Sequence, residues 1–199
     1  NTPIVILWSD HLVKNIGLFK QILRVSGEMI NKYNNKIIFI TQKPRFASQN
    51  LGWIKYKDVI KSADGINFHE FESFHYRPGL DQAMKFFKDS RYAWNIGYFV
   101  TTPAFLWKLY ATHQPEMFVG LSQIRQSVGT VRYKETVNKI YPKLAKISFD
   151  NAILEKIVPS MAMVIAGELG WSDIGAWEAL KEALSKSPNQ NITQGKVLV

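Results

Sequence analysis

Three consecutive segments limit what this chain can fold into: an apolar run at Pro3–Trp8, an amphipathic stretch over Asn15–Tyr33, and a second apolar run at Lys36–Thr41. Both runs are rich in Ile and Val without polar alternation, the pattern of strands buried on both faces. Between them Ile16, Phe19, Leu23, Ile30 and Tyr33 recur at helical spacing, and Asn15 is placed to cap the first turn. Strand, helix and strand in this order form a βαβ unit, which predicts parallel pairing of the two strands with a right-handed crossover. The remainder continues in kind. Gly52–Lys57 and Ile66–Phe74 alternate as strands, and Pro78 opens a short amphipathic helix carrying Leu80, Ala83, Phe86 and Phe87. Asn95–Thr101 reads as a strand and Pro103–Tyr110 as a helix. Pro115–Leu144 is helical, broken near Gly129 and stopped near Pro142. Asp150 is placed to cap a helix over Ala152–Lys156. Met161–Ala166 reads as a strand, Ile174–Ser185 as a helix, and Lys196–Val199 as a strand-like tail. Without internal repeat, linker or low-complexity stretch, the expectation is one α/β domain over residues 1–199 with a mixed sheet.

Composition narrows the function classes. No apolar run approaches the roughly 18 residues needed to span a bilayer, and the apolar start lacks the leading positive charges of a signal peptide. No membrane partner is therefore expected. The formal charge is +9, but Lys and Arg are scattered, with no aromatic–basic RNA motif. The charge reads as solvated helix faces or affinity for a phosphate-rich substrate, with no nucleic-acid partner. The absence of cysteine excludes disulfides and thiolate metal sites, and it fits a cytoplasmic location.

Candidate chemistry collects at strand ends, where open α/β sheets bind their ligands. Asp10 follows the first strand, Asn95 opens the strand after Trp94, and Asp173 follows the Met161–Ala166 strand. Two carboxylates at strand ends can share one Mg²⁺ with substrate phosphates. The plainer alternative is that Asp10 and Asp173 only cap the elements behind them. His69, His75 and His113 are isolated and read as surface or packing residues.

Seven segments occur in order: Ser9-Asp10-His11, Leu51-Gly52-Trp53-Ile54, Phe74-His75-Tyr76-Arg77-Pro78, Tyr92-Ala93-Trp94-Asn95-Ile96-Gly97-Tyr98-Phe99, Ser148-Phe149-Asp150, Leu154-Glu155-Lys156, and Gly170-Trp171-Ser172-Asp173-Ile174-Gly175-Ala176-Trp177. The series resembles the sugar nucleotidyltransferases, and among them the mannose-1-phosphate guanylyltransferases. That resemblance implies a Rossmann-like, GT-A-like fold with a mixed, mainly parallel sheet flanked by helices. It also implies a reaction of mannose 1-phosphate with GTP giving GDP-mannose and pyrophosphate. Asp10 and Asp173 match the family's metal-binding aspartates, so Mg²⁺ is the implied cofactor. Gly52 matches a glycine where backbone approaches the ligand, and Asn95 an asparagine that hydrogen-bonds sugar hydroxyls. Gly97 would keep its strand open for the ligand, and Arg77 takes the place of a lysine that grips the sugar phosphate. His11 would orient the Asp10 turn, while Trp94, Trp171 and Trp177 read as wall and core.

Two departures follow. The family pattern Phe-x-Glu-Lys-Pro is here Phe74-His75-Tyr76-Arg77-Pro78, so Tyr76 stands where a carboxylate would bind mannose. A phenol cannot act as a bidentate acceptor, and weaker discrimination between mannose and glucose 1-phosphates is expected. The family's opening Gly-rich loop and Pro-Lys pair have no match, so the expectation is a fragment, incomplete at the N-terminus and inactive alone, with an open strand edge through which copies pair as a homo-oligomer. Two other readings stay open. One is a non-catalytic sugar-nucleotide-binding or regulatory paralogue; the other is a metal-dependent glycosyltransferase, although no Asp-x-Asp motif is present.

Overall fold

The computed structural model describes residues 2–175. Trp177, the strand-like tail at Lys196–Val199 and nearly all of the helix expected over Ile174–Ser185 lie outside the described residues. Among the described residues there are eight strands: β1 (Ile4–Ile6), β2 (Leu12–Val13), β3 (Ile37–Gln42), β4 (Gly52–Ala63), β5 (Ile66–His75), β6 (Tyr92–Thr101), β7 (Ala162–Gly167) and β8 (Trp171–Ser172). The α-helices are α1 (Ile16–Lys32), α2 (Leu80–Lys88), α3 (Pro103–His113), α4 (Pro115–Ser127), α5 (Tyr133–Ile140) and α6 (Phe149–Ala152). Among the described residues no helix is long and apolar enough to cross a membrane.

The main sheet runs β1-β6-β3-β7-β5-β4, and β4 returns to pair with β6 as well, while β2 and β8 form a separate ribbon. The expected α/β arrangement with a mixed sheet is present. The pairing, however, is antiparallel everywhere in the main sheet except between β3 and β7. The first βαβ unit also differs from expectation. β1 and β3 run in the same direction, but β6 lies between them, antiparallel to both. β6, buried in all but two of its ten positions, occupies the interior of the sheet. β1 is displaced to the edge, where Val5 is exposed, rather than buried on both faces.

All six residues of β3 are buried, and alternate side chains serve two cores. Ile38 and Ile40 face a layer with Ile22, Val25 and Ile30 of α1, whereas Ile37 and Phe39 face Phe71, Phe99, Leu109 and Leu154. Each fully buried Ile or Phe contributes roughly 1.5–3 kcal/mol, which makes β3 the anchor of both layers. Asn15 caps α1 as expected, its Oδ1 accepting from the Leu18 N–H at 3.1 Å. The buried row on α1 is Ile22, Val25, Ser26, Met29 and Ile30, rotated from the predicted stripe, and Ile16 is exposed. Leu23 and Phe19 fall to the flank, because a broad apolar stripe does not fix which of its edges meets the sheet.

β4 and β5 form a long hairpin closed at Asp64-Gly65, both with positive φ, as a two-residue turn of matched twist requires. Its tip is tied to α1 through an Arg24–Asp64 ion pair and a Gln21 Nε2 bond to the Asp64 carbonyl at 2.6 Å. Helix α6 begins earlier than expected. Its cap is Ser148, whose Oγ accepts from the Asn151 N–H at 3.2 Å, so Asp150 lies within the first turn and is available for other contacts.

Candidate functional site

β1, β3 and β7 share a direction, and their C-terminal ends lie on one edge of the sheet. Asp10 follows β1 on this edge, and Asp173 follows β7 by way of β8. The β2–β8 ribbon joins them: Leu12 pairs with Ser172 and Val13 with Trp171. Asp10 and Asp173 therefore extend from the same end of one antiparallel ribbon. Both carboxylates are exposed, and both act on His11 between them. The His11 ring is driven below the usual histidine range by burial, a shift the charges of Asp10 and Asp173 only partly offset. Its Nδ1 accepts from the Trp171 Nε1–H at 3.0 Å, and its Nε2 lies 4.0 Å from Asp10 Oδ1. A ring accepting at Nδ1 carries its proton on Nε2. His11 is thus a neutral strut bracing the Asp10 turn against the buried Trp171, as expected of it. Asp173 also performs the plainer task, with Oδ1 accepting from the Gly175 N–H at 3.4 Å.

Gln42, buried at the end of β3, holds the far side of this ribbon. Its Oε1 accepts from the backbone N–H groups of Leu169 and Trp171 at 2.9 and 3.3 Å. Nothing in the sequence marked Gln42, because its role depends on β7 lying beside β3.

A second polar group forms on β6. Asn95 is 7% exposed. Its Oδ1 accepts from the Gly97 N–H at 3.2 Å, and its Nδ2 donates to Asp150 Oδ1 at 3.4 Å. Gly52 lies directly opposite Asn95 in the β4–β6 register. A Cβ at Gly52 would meet the Asn95 side chain at 3.3 Å and the Phe74 ring at 3.1 Å, so the missing side chain is what makes room for the buried amide. Burial pushes the Asp150 carboxyl above the usual carboxylate range. A hydrogen bond from its own backbone N–H and the nearby Arg77 guanidinium oppose this shift, and Glu155 adds to it. Arg77 is exposed, has φ +44° and places its guanidinium 5.2 Å from the centre of the Tyr76 ring, which packs against the layer of Phe39, Phe71 and Phe99. Asp150 belongs to this group, although the sequence reading gave it only a capping role.

Gly97 departs from its expected part. The space above it is filled by the Trp8 indole, whose Nε1 would lie 2.0 Å from a Cβ at this position. The β1–β6 register, continued past Ile6–Phe99, sets Trp8 opposite Gly97. Gly97 has φ +73°, and the β3–β6 register slips by a bulge at this point. Trp8 is separated from Asp10 by one residue and Gly97 from Asn95 by one residue. The Trp8–Gly97 contact is therefore the seam between the two carboxylates and the Asn95–Asp150 group. Trp94 and Trp171 are buried, as wall and core residues should be.

Exposed carboxylates are oxygen donors of the type Mg²⁺ takes, so Asp10 and Asp173 would hold such an ion only with further oxygens from water or ligand. Among the described residues no cluster of three or more His, Cys, Asp or Glu side chains could enclose an ion without such help.

A profile of the nucleotidyl transferase family matches residues 1–190. The mannose-1-phosphate guanylyltransferase ManC of Salmonella typhimurium is 24% identical over 195 residues, which cover 98% of this chain and 40% of that protein. A mannose-1-phosphate guanylyltransferase of Escherichia coli is 25% identical over 203 residues, covering 100% of this chain and 42% of the relative. The chain thus spans about two-fifths of the length of the curated relatives it matches. Among solved structures, the mannose-1-phosphate geranyltransferase of Thermus thermophilus superposes with a TM-score of 0.79 at 24% identity, covering 98% of this chain and 53% of that one. This likeness shows the same fold.

Proposed function

Because the chain belongs to the nucleotidyl transferase family, we propose that it forms the sugar-phosphate side of a mannose-1-phosphate guanylyltransferase, acting in the cytoplasm on mannose 1-phosphate and GTP. Residues 1–199 act as one nucleotidyltransferase domain in this reading. The observation that carries it is Asn95, a buried amide fixed between Gly52, Asp150 and the Gly97 bulge at the ligand-binding edge of the sheet. Each of its amide atoms is held by one partner, and an amide has a second N–H and a second lone pair to offer a hydroxyl-bearing ligand.

In the proposed reaction an oxygen of the sugar phosphate attacks the α-phosphorus of GTP. The new O–P bond forms as the bond to the β-phosphate oxygen breaks, and pyrophosphate leaves. The attacking oxygen is already ionised, so no general base is needed, and a neutral His11 is consistent with that. The residues supply position and charge. Asn95 and Asp150 offer a donor and an acceptor to sugar hydroxyls, and Arg77 can pair with the sugar phosphate through two parallel N–H bonds. Asp10 and Asp173 would hold Mg²⁺, which when bound neutralises charge on the reacting phosphates.

Calorimetric titration of the chain with mannose 1-phosphate in the presence of Mg²⁺ tests the reading. Asn95→Ala and Arg77→Ala should each weaken binding about tenfold or more, the effect of one lost charge-assisted or buried hydrogen bond. Equal affinity in both variants, or no binding by the parent chain, would overturn it. Tyr76, lacking the carboxylate of the family pattern, favours a second reading as a sugar-nucleotide binder without turnover. Binding accompanied by no pyrophosphate release in the longer protein would support that alternative.

A further inference from the structure

The β2–β8 ribbon pairs only Leu12 with Ser172 and Val13 with Trp171. A two-stranded ribbon of this length does not hold its own shape in water, yet both Asp10 and Asp173 extend from it. Its support comes from the end of β3. β7 ends at Gly167, and Gly170 turns the chain at φ +61° before β8 begins. The buried Gln42 amide fills the gap that this turn leaves beside β3. Its Oε1 accepts from the Leu169 and Trp171 N–H groups, and its Nε2 donates to the Lys43 carbonyl at 3.2 Å.

Arg45, just past β3, takes the other side of Trp171. Its Nη1 donates to the Trp171 carbonyl at 3.0 Å, and its guanidinium lies 5.2 Å from the centre of the buried Trp94 ring. Trp94 is also the residue opposite Gln42 in the β3–β6 register, so both arms stand on the same pair of strands. Gln42 holds the peptide plane before Trp171 and Arg45 the plane after it. With only φ and ψ free between two planar peptides, this fixes the direction in which Ser172 and Asp173 leave. A third bond, from the Trp171 indole N–H to His11 Nδ1, ties the same residue to the Asp10 turn. From these contacts we propose that Gln42 and Arg45 are positioning residues, which set Asp173 and, through Trp171 and His11, Asp10 in their relative places. This role rests on Asp10 and Asp173 being the Mg²⁺ ligands of the proposed function.

Mg²⁺ demands near-ideal octahedral geometry, and among the described residues no third metal-ligating side chain completes a site with the two aspartates. Drift of either carboxylate is therefore not made up by another protein ligand. Removing the groups that orient metal ligands from behind typically weakens metal binding ten- to a hundredfold.

Mn²⁺, which takes the same oxygen-rich octahedral sites, serves as the probe. Titrating the chain with Mn²⁺ and reading the free ion by electron paramagnetic resonance, with Mg²⁺ as competitor, gives the affinity. The parent chain should bind the ion, and Asp10→Asn should lose it. Gln42→Met and Arg45→Met should each weaken binding about tenfold, with an unchanged far-UV spectrum. The double variant should lose clearly less than the product of the two, because both side chains act on one residue. Arg45→Met gives a readout that loss of charge cannot mimic. Removing a positive charge near a cation site would by itself tighten binding, so weaker binding has the sign of lost positioning alone. Arg45→Lys, which keeps a donor for the Trp171 carbonyl, should retain most of the affinity. Arg45 is exposed, so its variants decide the matter even where Gln42→Met disturbs the buried strand end. Parent-like affinity in Gln42→Met, or tighter binding in Arg45→Met, overturns the positioning role while leaving Asp10 and Asp173 as ligands. A parent chain that binds no Mn²⁺ overturns the ligand reading itself, and this role with it.

Discussion

Asp150 shows how one residue can carry different meanings in sequence and in structure. As a letter it is a capping aspartate; in the fold Ser148 holds the cap, and Asp150 turns toward Asn95 in a half-buried setting. Burial raises its carboxyl pKa above the unfolded value, so between those two values the folded state binds more protons than the unfolded chain. Stability from this group is then greatest below the ordinary carboxylate range and falls as pH rises through the raised folded value. Asp150→Asn should therefore raise the denaturation midpoint at neutral pH, with the gain vanishing in acid. The same variant should weaken mannose 1-phosphate binding if the carboxylate accepts from a sugar hydroxyl. Urea unfolding at pH 7 and pH 4 measures the first effect, and an Asp150→Asn chain that gains no stability at pH 7 would show the carboxylate to be better solvated than its position implies.

Among the elements, β6 settles the topology. It separates β1 from β3, lends one edge to both β1 and β4, and bends at the Gly97 bulge so that one strand can meet all three. Its burial on both faces was legible in its apolar run, but its place between the strands of the first βαβ unit was not. Strand order is set by which edges remain free once the hairpin and crossover are in place, and no local pattern records that. The bulge can be tested by a pair of substitutions. Gly97→Ala imposes a left-handed backbone on a residue with a side chain and drives its Cβ into the Trp8 indole, at a total cost of about 2 kcal/mol or more. Adding Trp8→Ala removes the collision but leaves the backbone strain of about 1–2 kcal/mol. Gly97→Ala should thus cost less in the Trp8→Ala background than in the parent, and additive effects in chemical denaturation would show that the indole does not rest on Gly97.

At the scale of the whole molecule, stability is unevenly spread. β3, β6 and β7 lie between both apolar layers, whereas β1 sits at an edge and the outer half of β4, from Lys57 to Ala63, is largely exposed. Backbone amides open to exchange at free energies ranging from near zero to the global value. Hydrogen exchange should therefore be slowest for Ile38, Phe39 and Val100, at least a hundredfold slower than for Val59 or Ile60, which corresponds to about 3 kcal/mol of added protection. Comparable rates in the two groups would mean that the long hairpin is held by contacts beyond its Arg24 and Gln21 ties.

Residue order alone determined what local physics can encode. Apolar runs and helical stripes gave the elements, Asn15 gave a cap, and the places of Asp10 and Asp173 after strand-forming runs, and of Asn95 near the start of one, sent them to one sheet edge. The ordered segments ending in Gly170–Trp177 gave the family resemblance. Tertiary structure decided what depends on residues far apart in the chain. It put Trp8 over Gly97, Asp150 against Asn95, Gln42 under the loop that carries Trp171, and β6 between β1 and β3. It also left Leu80, Met84 and Phe87 outside the core although their spacing matches a buried stripe. A short-range pattern states that a face is apolar; only the packed sheet, by filling some faces and leaving others open, states what that face is for.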